Sequence, residues 1–580
     1  MKKLWVFSGA ENRRSKKLSA RIFRFESLET RTLLAGNVIV AVNAGELDVT
    51  GDNANNSIQV TQLASGDWKV TGIGTHINGG TAPFIANGVT GNIDIKLSGG
   101  SDTVTVSNGT VPGALLIDAD DVPSTAQDGN DIVQVANLNC ASLLIDAGNG
   151  NNTVTVSNVD DSGSVHILSG NGTAAISVSN SSFSAPSASE NEMLTGNGNV
   201  FINLSDVTMS TGIGSENDVE AGNGHATVVL SNVHMNVGDG SENNVETGNG
   251  TAAISLSNVS MSTGHSSENE VKTGNGHATV VLSNVHMNVG DGSENNVETG
   301  NGTAAISLSK VTMSAGVGSD NEVETGNGTG AISMSNVNMT GGIGTSNAVE
   351  TGDGKLTVLL SNVNMQADSN NTNEFGGNRI FLGNTSALVA VISLSKVSMT
   401  ADDGGMNEVV TAGGTAVFSM SNVSMNTSSD GENLINAGKT TGQSKTVFAA
   451  VNLKMNAEGS FENNIITNDG TATISLVNLT SNSDVNLDTG QGRSSVAVAG
   501  SNVTGTLQIA TGDDSDAVAL AKVTANELDV TLNGGNDVLT LASCTANTTT
   551  LDGGSGTNTL VRVHDSLGTL SVTNFQYQIG

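Results

Sequence analysis

From Ser189 onward the chain repeats itself every 26 residues, with Asn191, Asn217, Asn243, Asn269, Asn295, Asn321, Asn347 and Asn373 at the same place in successive units. A fixed period in this range restricts the fold to a stack of equivalent units, since one such unit cannot bury its own apolar face. Residues 222–257 and 274–309 are identical, so a pair of units has been duplicated. The register continues through Asn407, Asn433 and Asn463, and the longer spacings 373–407 and 433–463 predict surface insertions.

Within a unit, Ile254 and Leu256 alternate with Ser255 and Ser257, the two-residue period of a strand with one buried face. The step from Leu256 to Val259 breaks that period, which places a corner at Ser257-Asn258. Val259 and Met261 resume the alternation, and Val271 marks a third strand before the Gly274-Asn275-Gly276 turn. β-Branched and Ser/Thr/Asn residues dominate and no apolar stripe of 3.6-residue period survives, so helix is a poor alternative.

These features predict an all-β fold, a right-handed parallel β-helix (β-solenoid) of about twenty coils. Each coil takes 26 residues in the centre and 21–22 near the ends, as at Ser98–Val106, Asp146–Val154 and Asn533–Leu541. Residues 1–36 form a basic leader and residues 37–580 a single solenoid domain. Its regular repeats cover about 163–375, longer coils 376–466 and shorter coils 467–580.

Stacking converts the repeat into columns. Val228, Ile254, Val280, Ile306, Ile332 and Val358 form one; Leu230, Leu256, Leu282, Leu308, Met334 and Leu360 form another. Ten of the 15 methionines, from Met209 to Met455, form a third, whose inward recurrence marks core packing and not soft-metal binding. Asn232, Asn258, Asn284, Asn336 and Asn362 recur at the corner, where stacked amides can hydrogen-bond from coil to coil. Lys310 and Lys396 interrupt that series.

Charge is divided unevenly. Nine of the 22 Lys and Arg residues fall within the first 31 positions, leaving 13 basic against 53 acidic residues beyond Arg31, a balance of 13 − 53 = −40. Such a body repels nucleic acid and anionic membranes and favours divalent cations as partners. No apolar run is long enough for a membrane-spanning helix. Cys140 and Cys544 cannot support a disulfide framework or a Cys-based zinc site, and each reads as a small buried apolar residue.

Two resemblances bear on function. Phe25-Glu26-Ser27-Leu28-Glu29-Thr30-Arg31-Thr32-Leu33-Leu34-Ala35-Gly36 resembles the N-terminal segment of large exported proteins of planctomycete bacteria, which implies a secreted or cell-surface destination. The terminal coils resemble the calcium-binding nonapeptide repeats of RTX proteins, with the pattern GGxGxDx(apolar)x. Gly99-Gly100-Ser101-Asp102, Gly129-Asn130-Asp131, Gly534-Gly535-Asn536-Asp537 and Asp552-Gly553-Gly554-Ser555-Gly556 carry that resemblance, implying Asp102, Asp131, Asp537 and Asp552 as Ca2+ ligands. Here the motif occurs once per coil instead of every nine residues, so each ion would find few of the six to eight oxygens calcium requires. In the centre, Glu190, Glu216, Glu242, Glu268, Glu294 and Asp320 form an acidic column, with Glu220, Glu246, Glu298, Glu324 and Glu350 nearby and Lys272 between Glu246 and Glu298.

The expected function is therefore that of an exported acidic solenoid, a structural or adhesive component of a cell surface or matrix, stabilised by calcium and contacting surface polysaccharide or other matrix proteins. The alternative is a divergent carbohydrate-active β-helix, lyase-like or hydrolase-like. The turns are short, arginine is rare beyond position 31 and His225, His234, His277 and His286 recur only with the duplication, so no enzyme is expected. An outward Thr array, Thr103, Thr105, Thr153 and Thr155, raises crystal-face binding as a third option.

Overall fold

A computed structural model describes residues 36–120, 129–368, 376–383, 389–402, 404–438, 444–458, 462–467 and 469–580. The leader, apart from Gly36, lies outside the described residues, as does Asn373.

Each central coil follows from its residue pattern. In the strand Gly224–Asn236, Ala226, Val228 and Leu230 point inward, Ser231 and Asn232 both point outward, and Val233 and Met235 point inward again. The break is a corner at Asn232, whose φ of 54° lies in the left-handed region that asparagine tolerates best among residues with a Cβ. After a short turn the strand Glu242–Thr247 buries Asn243, Val245 and Thr247, and Gly248-Asn249-Gly250 closes the coil. Gly250 has φ +134°, and a Cβ there would meet the Gly224 carbonyl oxygen of the preceding coil at 2.0 Å. That contact with neighbouring backbone is why glycine recurs at this turn.

Successive coils pair in parallel register, and the repeat is preserved residue on residue. One inward column starts Ile58, Val104, Val133, Val154, Ile176, Ile202 and Val228. It continues through Ile254, Val280, Ile306, Ile332, Val358 and Ile392. It ends Phe418, Phe448, Ile474, Val496, Val518, Leu539 and Leu560. The chain is thus an all-β parallel solenoid of about twenty coils, with shorter coils toward both ends. The apolar columns and the methionine column merge into one continuous core.

Two asparagine ladders run along the stack. The corner ladder links Asn284 Nδ2 to Asn258 Oδ1 at 2.9 Å and Asn258 Nδ2 to Asn232 Oδ1 at 3.0 Å. Lys310 and Lys396 stand at the same corner with φ of 55° and 54°, exposed and without an amide to pass the bond on. The second ladder is fully buried: each amide from Asn191 to Asn433 donates Nδ2–H to the Oδ1 of its counterpart one coil on, as in Asn217 to Asn243 at 2.9 Å and Asn321 to Asn347 at 2.8 Å. Several of these amides also donate to main-chain carbonyls at the corner, as Asn243 does to Ser262 at 3.1 Å. The expected register through Asn373 is corrected here, because Asn378 takes the ladder position after Asn347. Asn378, Ile380 and Leu382 supply the inward alternation, so extra residues precede Asn378.

The ends depart from the simple coil. At the N-terminal end, Asn37–Asn43 pairs antiparallel with Glu46–Thr50, and Trp68–Gly72 pairs antiparallel with both Ser57–Gln62 and Phe84–Ala86. These hairpins cover parallel strand edges that would otherwise be open, and Trp68, in the strand the last two pairings share, is wholly buried. At the other end, Phe575, Tyr577 and Ile579 alternate along the sequence, but Gln578 sits over Leu560 in the inward column. Tyr577 and Ile579 are 60% and 61% exposed. The left-handed corner at Asn574, φ 59°, sets the parity that the alternation leaves open.

Two substitutions check this account. Lys310→Asn should rejoin the corner ladder and relieve a left-handed lysine, raising stability by about 0.5–1 kcal/mol in a thermal melt. Val259→Asp would bury an unpaired carboxylate beside Val285. It should cost several kcal/mol and expose only the adjoining coils to protease, since coils interact with their neighbours alone.

Candidate functional site: a three-column acidic face

The short central strands read outward, inward, outward, inward, outward, inward. In Glu216–Ala221 the inward residues are Asn217, Val219 and Ala221, so Glu216, Asp218 and Glu220 share the outer face. Parallel register stacks these positions into three columns. The first is Glu190, Glu216, Glu242, Glu268, Glu294 and Asp320. The second is His166, Glu192, Asp218, Asn244, Glu270, Asn296 and Glu322. The third is Glu220, Glu246, Lys272, Glu298, Glu324 and Glu350.

The first and third columns are legible in the repeat; the middle one is not, because Asn244 and Asn296 interrupt its charge. Its position two residues after each first-column acid is the signal that locates it. Together the columns form a flat field with carboxylates about 4.8 Å apart along the stack and about 6.7 Å apart across it. A shallow groove of ≈ 330 Å³ runs beside the first column, lined by Glu242, Glu268, Glu294 and Asp320 with Ser267 and Ser293.

Few bases answer this charge. Within the field Lys272 bridges Glu270 at 2.9 Å and Glu298 at 3.2 Å. Its ammonium is held above its ordinary pKa, chiefly by the hydrogen bond to Glu270. At one border His166 Nδ1 lies 2.8 Å from Glu192. At the other, Arg379 lies 3.1 Å from Glu350 and 3.7 Å from Glu408, with its guanidinium 4.2 Å from the centre of the Phe381 ring.

Seven carboxylates of the face are pushed up, by partial burial first and then by the acidic groups beside them. Asp218, Glu268 and Glu322 are raised to about 7 and Glu246 to about 8. Glu216, Glu294 and Glu324 are raised for the same reasons. Near neutral pH these raised carboxylates are therefore part-protonated.

The Asp residues suggested by the calcium-repeat resemblance lie elsewhere. Asp102 and Asp131 are buried on adjacent rungs: Asp102 Oδ1 accepts the Asn56 N–H at 2.7 Å and Asp131 Oδ1 the Asp102 N–H at 2.7 Å. Asp537 Oδ1 accepts the Asp516 N–H at 2.8 Å. Asp552 Oδ1 accepts from Gly554 N–H at 2.9 Å and Asn574 Nδ2 at 2.6 Å, which lowers its pKa. These carboxylates cap backbone donors of neighbouring coils or of their own turn.

Among the described residues, the three-donor set with all ligand atoms within 4.8 Å is His166, Glu190 and Glu192, at the edge of the acidic face. The outward threonines do not form an array, because Ile132 and Gln134 occupy the rung between Thr103 or Thr105 and Thr153 or Thr155. Both cysteines are buried and unbridged, and Cys140 Sγ lies 3.2 Å from Asp161 Oδ2. No helix of the described residues is long and apolar enough to cross a membrane.

No family model, curated protein or solved structure matches the chain.

Raised carboxylate pKa values give a signed expectation. The native face binds protons that the unfolded chain releases above about pH 4.3, so its share of stability is complete below that pH and is lost as pH rises through about 7–8. Thermal melts across pH 5–9 should show this fall, and added salt should flatten it. Lys272→Glu would remove the internal bridge and should cost about 1 kcal/mol at low ionic strength.

Proposed function

We propose that this protein is an exported structural or adhesive scaffold of a cell surface or matrix, and that its acidic face is the working surface, binding divalent cations of the calcium class. The observation that carries this reading is the three-column carboxylate field, whose charge is met among the described residues by Lys272 in its middle and by His166 and Arg379 at its borders. A cation between neighbouring rungs accepts oxygens from two or more columns and relieves the like-charge repulsion that partial burial sharpens. Bound at the surface, it keeps open positions for oxygens from a second body, such as an acidic polysaccharide or another matrix protein. The acidic balance of the body and the exported-protein resemblance of Phe25–Gly36 support the extracytoplasmic assignment.

Calcium binding is tested by thermal melts at fixed ionic strength. Sites with Kd of about 1 mM, filled together, should raise the melting temperature by several degrees at ~10 mM CaCl2. Sodium chloride at matched ionic strength should do less, and an equal shift from sodium would reduce the face to a screened surface. Replacing Glu242, Glu268 and Glu294 together with Gln should remove most of the calcium-specific shift. Immunolocalisation on intact cells tests the surface assignment, and signal confined to the cytoplasm would overturn it.

A further inference from the structure

The long strand before the Asn corner presents a face opposite in character to the acidic one. Its outward residues Thr227, Val229 and Ser231 belong to three columns, which parallel register carries from the rung of Thr103, Thr105 and Ser107 to that of Thr559, Val561 and Val563. Among the described residues no Asp, Glu, Lys, Arg or His stands in any of the three columns, although the body as a whole is strongly acidic. Large apolar side chains project from the face instead: Phe201, Val281 and Leu359 are 46%, 37% and 44% exposed.

The face is corrugated. Where the sequence is duplicated its rungs alternate in size: Thr227 and Val229 make a ridge, Ala253 and Ser255 a furrow, Thr279 and Val281 a ridge, Ala305 and Ser307 a furrow. On either side, Phe201 stands on a ridge and Ala331 lies in a furrow, while Ala175 and Ser177 make a furrow and Thr357 and Leu359 a ridge. Reversing the order of these rungs about a point midway between Ser255 and Val281 exchanges every ridge with a furrow. The rung of Ala253 changes places with that of Thr279, Thr227 with Ala305, Phe201 with Ala331 and Ala175 with Thr357. The relief is therefore complementary to itself under a two-fold rotation whose axis runs parallel to the strands.

We propose that this uncharged face pairs with the same face of a second copy, the two rods lying antiparallel with Val281 of one over Ser255 of the other, Phe201 over Ala331 and Leu359 over Ser177. Such an interface is isologous, each contact occurring twice.

Area, relief and charge select that occupant. The register overlaps the fourteen rungs from Thr103 to Val447. At about 4.8 Å per rung and about 6.7 Å between columns, this covers roughly 900–1,300 Å² per copy, against the ~800 Å² per partner of a standard stable interface. Small Ala and Ser furrows admit the opposing ridges at the ~10 Å spacing of packed sheets, and only another copy repeats its relief with the same rung spacing. Two bodies of like charge approach most easily through a face that carries none, and the acidic columns stay outside the contact. No cation takes part, so the pairing stands apart from the calcium reading.

Sedimentation equilibrium of the full chain, in chelator and over a wide range of concentration, tests the pairing. A monomer–dimer equilibrium is expected, tighter at about 0.3 M salt than at low salt because screening weakens repulsion between the acidic bodies. Val281→Arg or Ser255→Arg should weaken it at least about tenfold by placing an unpaired charge in the contact. Ser260→Arg, outward on the neighbouring face, should leave it unchanged. The register has its own test, which also serves should an Arg variant fail to fold. A short bismaleimide should join two chains carrying both Phe201→Cys and Ala331→Cys but not chains carrying either alone. Like positions, and the two cysteines within one chain, are about 24 Å apart in this arrangement, and the native Cys140 and Cys544 are buried. A monomer at every concentration in high salt, equal weakening by Ser260→Arg, or equal cross-linking of a single variant would overturn the inference. So would a monomer that adsorbs to a flat polysaccharide such as cellulose and loses this in Val281→Arg, which would give the face a different occupant.

Discussion

Parallel main-chain hydrogen bonding between consecutive coils is the constraint on which the rest of this structure depends. It holds each residue about 4.8 Å from its counterpart one coil away, so every position must tolerate copies of itself above and below. Valine, isoleucine, leucine and methionine satisfy this by packing, and they fill the inward columns with few aromatic residues. Asparagine satisfies it by hydrogen bonding, since its amide is both donor and acceptor and can link head to tail along the stack. The fully buried Asn217 and its equivalents show how a polar column can cross an apolar core with its hydrogen bonds made.

Carboxylates fail the same test, and they are where function is to be sought. Stacked Glu or Asp residues repel one another, and each has acceptors only unless protonated. On the outer face of the central strands the conflict is met by Lys272, by raised pKa values and, in the proposed reading, by cations. Inside the short terminal coils Asp102, Asp516 and Asp537 are almost wholly removed from solvent, at 1%, 3% and 0% exposed. One repeat geometry thus poses the same electrostatic problem twice, once at the surface and once in the core.

Much of this was legible in the residues. Alternation such as Ile254-Ser255-Leu256 located strands and faces, and the missed step to Val259 located the corner now seen with Asn258 at φ 55°. Lys310 and Lys396 were recognisable as interruptions for the same reason. The buried ladder was harder to read, because Asn191 and its equivalents appear in sequence only as markers of the repeat. Nothing in an isolated unit says that this asparagine faces inward. Asn373 misled the register because an Asn at the expected spacing precedes the true position, Asn378, and only the inward pairing of Ile380 and Leu382 decides between them. The hairpins around Trp68 were illegible too, since antiparallel and parallel strands share the same alternation.

By itself the sequence determined the stacking, because a 26-residue period with two-residue alternation has few ways to bury its apolar side chains. It also determined which residue types recur in columns, and that the body is acidic. The tertiary structure decided how columns lie beside one another: that Glu192, Asp218, Glu270 and Glu322 join two other acidic rows in one field. It also decided that Asp102 and Asp537 turn inward, where each Oδ1 accepts a main-chain N–H of the neighbouring coil. Periodicity along a chain specifies what is repeated, whereas lateral neighbours and the inward or outward sense of a polar side chain depend on where each coil turns, and short glycine turns leave no periodic trace of that direction.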